Sequence, residues 1–138
     1  MDAIIGMLHS GGFSCVIQKG AEVRTFARRG VADLFFLLEN APTFLAGSCV
    51  ADKVVGKGAA ALMVLGRVER VYADVISTPA LELLLSHGVE VAFGMETDRI
   101  VNRTKDGLCP VETLCLGLDS PEDMLIEIRQ FINRKTNG

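Results

Sequence analysis

Residues 70–91, RVYADVISTPALELLLSHGVEV, decide the fold class. Apolar side chains dominate the opening of this stretch and predict a central strand. Thr78 and Pro79 then supply an N-cap and a first-turn proline for a helix that ends at Gly88. The strand pattern returns at residues 89–94. Because two parallel strands need a crossover connection, this order of strand, helix and strand predicts parallel pairing within a sheet.

The rest of the chain extends this unit into an α/β domain. Residues 44–50 predict a short strand or an extended segment. Residues 99–103 predict a further strand, although one long bent strand that starts at residue 89 fits the same pattern. We expect a single domain over residues 1–138, with three α-β-α layers and a mixed sheet of about five strands. The other predicted elements are helices over residues 2–9, 31–38, 59–65 and 121–135 and a hairpin of residues 13–18 and 23–27.

Composition and charge narrow the class of protein. The 138 residues are 49% hydrophobic and 22% charged, which is typical of a globular chain. A net charge of −3 argues against a general affinity for nucleic acid. The longest small and apolar run, residues 58–66, is too short for a membrane helix, and the first residues lack a basic secretion signal. We therefore expect a cytoplasmic protein with reduced cysteines and with neither a membrane nor a nucleic-acid partner.

The densest polar cluster is CVADKVVGKG, residues 49–58, just before the small-residue helix. A helix N-terminus offers backbone N–H groups and the positive end of a dipole, and lysines add charge, so this cluster is suited to a phosphate or a carboxylate. Asp74 interrupts an apolar strand, where a carboxylate needs donors or a polar pocket. The candidate ligand-binding residues are Cys49, Asp52, Lys53, Gly56, Lys57, Gly58, Asp74, Ser77 and Thr78.

The same cluster has structural interpretations. Asp52 can pair with a neighbouring lysine, the glycines can serve a tight turn, and Ser77 and Thr78 can act only as N-caps. The cluster is not a P-loop, because Gly58 stands where that motif needs a Ser or Thr for magnesium. If the protein is an enzyme, Lys57 is the candidate base or nucleophile, and Asp52 and Asp74 are the candidates for its acid/base partner.

Two strand-to-helix corners carry a resemblance to a known superfamily. KGA at residues 57–59 and STPA at residues 77–80 resemble the corners of the cytidine-deaminase-like superfamily, and the resemblance covers most of the chain. Within that superfamily, residues 47–61 and 102–112 are similar to a small family of uncharacterised proteins. The resemblance implies a deaminase-like fold and a homodimer or a larger homo-oligomer.

The zinc ligands of the active deaminases are missing from these corners. Deaminases hold zinc with the first residue of a His/Cys-Ala-Glu motif and with the thiolates of Pro-Cys-x-x-Cys. Here Lys57 replaces the first ligand, while Ala80 and Leu83 replace the two cysteines. We therefore expect no metal, no cofactor and no zinc-dependent deamination. Cys109 and Cys115 have a spacing that matches no common zinc site, and we interpret them as idle thiols.

Three functions remain open, and we rank them. The first is a non-catalytic protein that binds or senses a small anionic or nucleotide-like metabolite beside Lys53 and Lys57. The second is a zinc-independent group-transfer enzyme that uses Lys57 with Asp52. The third is an interaction subunit whose glycine-rich surface contacts another protein.

Overall fold

The structure is a computed structural model that describes residues 1–27, 31–98, 110–115 and 117–137. Helices and strands alternate along most of this length, as expected for an α/β protein. In chain order the elements are α1 (Asp2–Ser10), β1 (Cys15–Lys19), β2 (Glu22–Phe26), α2 (Ala32–Asn40), α3 (Pro42–Leu45), β3 (Cys49–Val55), α4 (Lys57–Leu65), β4 (Arg70–Ser77), α5 (Thr78–Ser86), β5 (Glu90–Thr97), α6 (Pro110–Cys115) and α7 (Pro121–Asn137).

The strands form one mixed sheet in the order β2-β1-β3-β4-β5. Strand β1 pairs antiparallel with β2 and β3, whereas β3, β4 and β5 pair parallel. The expected mixed sheet with five strands is confirmed, and so is the parallel strand-helix-strand unit. Because parallel strands end at the same edge, α4 and α5 both begin there. We call this the carboxyl edge; it comprises residues 55–58, 76–78 and 96–97.

Helices cover the two faces of the sheet unequally. On one face, Ile4 and Leu8 of α1 pack on Val16 and Ala51 in a small core. On the other face, a larger core contains residues from α2, α4, α5, α6 and α7. Helix α4 lies at the centre of this larger core, since residues 58–63 are all buried. Small and apolar side chains on every side of a helix predict that the helix is buried.

The polar cluster of residues 49–58 is a strand followed by a helix start, not a loop. The prediction of a short strand or an extended segment at residues 44–50 is wrong at its start, which lies in the short helix α3 (Pro42–Leu45), and right at its end, where β3 begins at Cys49. A proline is favoured in the first turn of a helix, which explains α3. Strand β3 contains Asp52 and Lys53 because it pairs on both sides, with β1 and with β4, and this pairing overrides their low strand propensity.

The last strand and the helix after it also differ from the expectation. Strand β5 runs through Thr97, so Met95 and Glu96 belong to the strand and not to a link between two strands. The further strand candidate, residues 99–103, lies outside the described residues. The sequence pattern did not predict α6, because its 6 residues are too few for a helical repeat to emerge.

Candidate functional site

The start of α4 lies at the carboxyl edge and lacks a side-chain cap. Gly56 is the N-cap residue, in an extended conformation with φ −97° and ψ 179°. As far as the described residues show, no side-chain cap bonds the first N–H groups of this helix. The first turn of an α-helix leaves these N–H groups without intrahelical partners, and the dipole adds positive potential. The start of α4 is therefore suited to a phosphate or carboxylate oxygen.

Lys57 is the first residue of α4, and its side chain is held by the connection between α6 and α7. Its Nζ donates a hydrogen bond to the carbonyl O of Leu118 at 2.5 Å. A cation at a helix N-terminus is unfavourable because it meets the positive end of the dipole, and contact with a carbonyl oxygen offsets part of that cost. The contact holds the ammonium between the start of α4 and the α6–α7 connection.

Gly58 is required by the packing of α6 on α4. A Cβ at this position would lie 2.4 Å from Cγ1 of Val111 and 3.5 Å from Sγ of Cys115, both on α6. At a carbon–carbon distance of 2.4 Å the two atoms overlap, so the Val111 side chain or the two helices would have to shift. Helix α6 therefore covers one side of the first turn of α4. Gly58 has this structural role whether or not a ligand binds nearby.

Side chains of the protein itself form hydrogen bonds at the start of α5. Of the two residues predicted as N-caps, Ser77 is the N-cap residue and Thr78 is the first residue of the helix; the buried Oγ of Ser77 accepts from the N–H of Ala80 at 3.2 Å. Thr78 Oγ1 donates to Oε2 of Glu96 at 2.7 Å and lies 3.3 Å from the carbonyl O of Thr97. Both hydroxyls thus have structural partners. Sequence reasoning missed Glu96, which only the pairing of β4 with β5 brings to α5.

Asp52 contacts β1 and not the start of α4. It lies opposite Cys15 in the antiparallel pair of β1 and β3, and its carboxyl shares a hydrogen bond with the thiol. Burial is the main reason that the pKa of Asp52 is raised from 3.8 to about 7. Burial also raises the pKa of the Cys15 thiol well above its usual range, and the charge of Asp52 adds to this rise. Cys15 is therefore a poor nucleophile.

Asp74 ties α1 to β4. Its Oδ1 accepts the hydroxyl hydrogen of Tyr72 at 2.7 Å and lies 2.6 Å from Nε2 of His9, in the last turn of α1. The His9 and Tyr72 rings meet edge to face with centroids 6.0 Å apart. The hydrogen bond to Asp74 is the main cause that raises the pKa of Tyr72 above 10.0. Sequence reasoning missed both partners. His9 comes from a distant helix, and Tyr72 lies two residues before Asp74, on the same face of β4.

The remaining predicted residues lie away from the carboxyl edge. Cys49 begins β3, so the length of that strand, roughly 20 Å at about 3.3 Å per residue, separates it from Gly56. Lys53 is exposed, and its backbone N–H donates to the carbonyl O of Ser14 at 3.0 Å. The predicted residues that the structure does bring together are Gly56, Lys57, Gly58, Ser77 and Thr78.

Metal-ligating side chains are scattered in the part of the chain that the structure describes. There, no three His, Cys, Asp or Glu side chains come together in a way that could hold a metal ion. Cys109 lies outside the described residues, and Cys115 is buried against α4. Among the described helices, none has the length and the apolar character needed to cross a membrane.

A family profile and a crystal structure are similar to this chain. The family described as Domain of unknown function (DUF1893) matches residues 3–132. The fold is similar to the crystal structure of a DUF1893 family protein (TM1506) from Thermotoga maritima, with a TM-score of 0.86 and 25% sequence identity. The similarity covers 94% of this chain and 87% of that chain. Among the curated proteins, none matches this chain.

Proposed function

The chain belongs to the DUF1893 family, and from that premise we propose that it is a non-catalytic protein that binds a small anionic or nucleotide-like metabolite at the start of α4. One observation carries the proposal. Within the described residues, the first turn of α4 lacks a side-chain cap and lies beside the Lys57 ammonium at the carboxyl edge. Open α/β sheets bind ligands outside the carboxyl ends of their parallel strands, and helix N-termini there bind anions.

The groups around the start of α4 indicate the chemistry of the ligand. Gly56 has no side chain, so a ligand oxygen can approach the N–H groups of α4 closely. Glu96 places a carboxylate at the start of α5, where it disfavours a second anionic group. The proposed ligand therefore has one anionic group at α4 and hydrogen-bond donors such as hydroxyls towards Glu96. A nucleoside monophosphate and a phosphorylated sugar both meet these requirements.

The proposal includes a deaminase-like fold that holds no zinc. In the deaminase resemblance, the positions of the zinc ligands hold Lys57, Ala80 and Leu83. An ammonium and two aliphatic side chains cannot ligate Zn²⁺, which binds thiolate, imidazole and carboxylate donors. These residues do not fit the metal, so zinc-dependent deamination is not part of the proposal.

The second candidate is a zinc-independent enzyme that uses Lys57 with Asp52. Its support is the pKa of Asp52, raised to about 7 chiefly by burial, because general acid/base groups work best near the ambient pH. However, the carboxyl of Asp52 contacts Cys15 on β1, whereas the Lys57 ammonium contacts Leu118. The arrangement favours binding over catalysis.

We further propose that the protein is a homo-oligomer, most simply a homodimer. It is expected in the cytoplasm, with neither a nucleic-acid nor a membrane partner. The competing interaction-subunit hypothesis predicts that substitutions at the carboxyl edge change the oligomeric state and leave anion binding intact. Native mass spectrometry of the gently purified full chain reports the subunit number, any bound metal and any retained metabolite together. A retained small anion supports the proposal, whereas stoichiometric zinc contradicts it.

The decisive binding experiment compares Lys57→Gln with Lys53→Gln. Lys53 is an exposed lysine on β3 that carries the same charge away from the carboxyl edge. Calorimetry measures the affinity for inorganic phosphate and for a nucleoside monophosphate. We expect Lys57→Gln to weaken binding about tenfold, equivalent to about 1.4 kcal/mol, because it removes a charged donor. Lys53→Gln should leave the affinity unchanged.

Amide NMR shifts locate the bound anion in the same samples. We expect the largest shifts at the N–H groups of Gly58 and Ala59, in the first turn of α4. An equal loss of affinity in both lysine variants would show non-specific attraction to positive charge. Binding without shifts at α4 would place the anion elsewhere. Either result contradicts the proposed site, provided that circular dichroism shows both variants to be folded.

A further inference from the structure

Helices α4 and α5 end in the same kind of turn. After each helix, one backbone N–H donates to the carbonyl O three residues back, and the next N–H donates to the carbonyl O five residues back, at 3.1 Å in every case. The first of these two residues has a positive φ, 61° at Arg67 after α4 and 78° at Gly88 after α5. Turns of this kind commonly close helices, and glycine usually takes the left-handed position because it has no Cβ.

Arg67 is the exception among the left-handed residues. In the described part of the chain, every other residue with a positive φ is a glycine: Gly12, Gly20, Gly47 and Gly88. A side chain at such a φ costs free energy, and strain of this kind is concentrated at functional sites. Since Gly88 closes α5 with the same hydrogen bonds, the turn after α4 does not need an arginine. The turn therefore does not explain the side chain of Arg67.

A surface pocket of about 210 Å³ lies beside Arg67, between α3 and the end of α4. We call it the α3–α4 pocket; the residues that line it are Pro42, Thr43, Ala46, Leu65, Gly66 and Arg67. Ala46 and Leu65 are half-buried and apolar. Pockets for drug-sized ligands measure about 300–1,000 Å³, so this pocket suits a smaller molecule. Its apolar residues suit a short carbon chain.

The charge at the α3–α4 pocket is positive. Of the six described residues that line it, Arg67 alone is charged. Within the described residues, no hydrogen bond or ion pair engages the Arg67 guanidinium. The Lys19 ammonium adds a second positive charge, because it donates to the carbonyl oxygens of Thr43, at 2.7 Å, and of Ala46. A guanidinium presents two parallel N–H donors to a carboxylate, so the pocket suits a carboxylate ligand.

We propose that the α3–α4 pocket binds a small organic carboxylate. The carboxylate oxygens accept from the Arg67 guanidinium, and the short carbon chain packs on Ala46 and Leu65. This role explains an arginine at a position where the turn favours glycine. The pocket lies at the opposite end of α4 from Gly56, roughly 14 Å away at about 1.5 Å per residue. The inference therefore goes beyond the anion site proposed above and does not depend on it.

Urea unfolding of the full chain tests whether the fold itself needs Arg67. We expect Arg67→Gly to be at least as stable as the wild type and to lower the unfolding constant by up to about tenfold, because glycine takes a positive φ without strain. Gly88→Ala is the control at the equivalent turn and should raise the unfolding constant severalfold. An Arg67→Gly variant less stable than the wild type would contradict the proposal, since the fold would then account for the arginine.

Amide NMR titration with butyrate tests the binding. We expect saturable shifts at the N–H groups of Thr43, Ala46 and Arg67, with a dissociation constant on the order of 1 mM. Arg67→Gly should weaken this binding by about tenfold or more, whereas Lys53→Gln, at an exposed lysine towards the other end of β3, should not change it. Butylamine, which has the same chain and a positive charge, should not bind. Equal binding of butylamine, no saturable shifts at the pocket, or unchanged affinity in Arg67→Gly would overturn the proposal.

Discussion

The two helices that begin at the carboxyl edge, α4 and α5, are built differently. Helix α5 has a serine at its N-cap, which bonds its first turn, and a threonine that bonds the end of β5. Helix α4 has a glycine at its N-cap and a lysine at its first position, with no side-chain cap in the part of the chain described. Both helices follow parallel strands, so the surrounding architecture is the same.

The difference lies in the groups that meet the first turn of each helix. At α5 the protein satisfies its own N–H groups, and Glu96 adds a negative charge where an anion would bind. At α4 the N-cap residue has no side chain to bond the first turn, and the Lys57 ammonium donates to the carbonyl O of Leu118. The sequence offered both helix starts as places for an anion, whereas the described contacts give α5 a side-chain acceptor for its first turn and place Glu96 beside it. Substitutions at the two starts can sharpen or break this contrast.

The largest effect is expected from Gly58→Ala, which opens the contact between α6 and α4. The new methyl would lie 2.4 Å from Cγ1 of Val111, and overpacking of this kind costs about 1–3 kcal/mol. Gly6→Ala in α1 is the control, because a Cβ there has nothing within 4 Å and should stabilise the helix by up to about 1 kcal/mol. Urea unfolding measures both. Equal gains in both variants would mean that α6 does not pack tightly on α4.

The next largest effect is expected from Ser77→Ala, which removes the cap of α5. Loss of an N-cap side chain costs about 1 kcal/mol, because the N–H of Ala80 loses its acceptor. Ser86→Ala, at the exposed last residue of the same helix, should change stability by less than about 0.5 kcal/mol. Anion binding should be unchanged in Ser77→Ala. Weaker phosphate binding in this variant would break the contrast, since it would involve α5 in the site.

The smallest effect on stability is expected from Gly56→Ser, which makes α4 resemble α5. Gly56 already has the extended conformation of an N-cap, so a serine should cap α4 and stabilise the protein by a few tenths of a kcal/mol, about 0.3. The hydroxyl would compete with a ligand, and phosphate affinity should fall severalfold by calorimetry. Gly56→Ala adds similar bulk without an acceptor. If both variants lose affinity equally, bulk and not capping is responsible.

Elements with local signals were predictable from the sequence. The pairing of β1 with β2 follows from a short glycine-bearing link, and α7 follows from its proline, first-turn acids and apolar stripe. The buried character of α4 follows from small side chains on all of its faces. In each case the deciding residues lie within one or two turns of each other, so their interactions need no knowledge of the rest of the chain.

The candidate site was only partly predictable. Gly56, Lys57 and Gly58 were expected at a helix start, and they are there. Asp52 and Asp74 were expected beside them, but the pairing of β1 with β3 places Asp52 with Cys15, and the packing of α1 places Asp74 with His9. Strand geometry explains the failure, because successive strand residues point to opposite faces and the partner at each position belongs to another strand or helix.

The sequence by itself determined the α/β class, the parallel unit and the helix start at residues 56–58. These properties depend on residue type and local spacing. Only the tertiary structure decided that α6 packs on Gly58, that Glu96 bonds Thr78 of α5 and that Asp52 lies opposite Cys15. Each of these is a contact between residues far apart in the chain, and its energy depends on burial and distance, which exist only once the sheet has paired and the helices have packed.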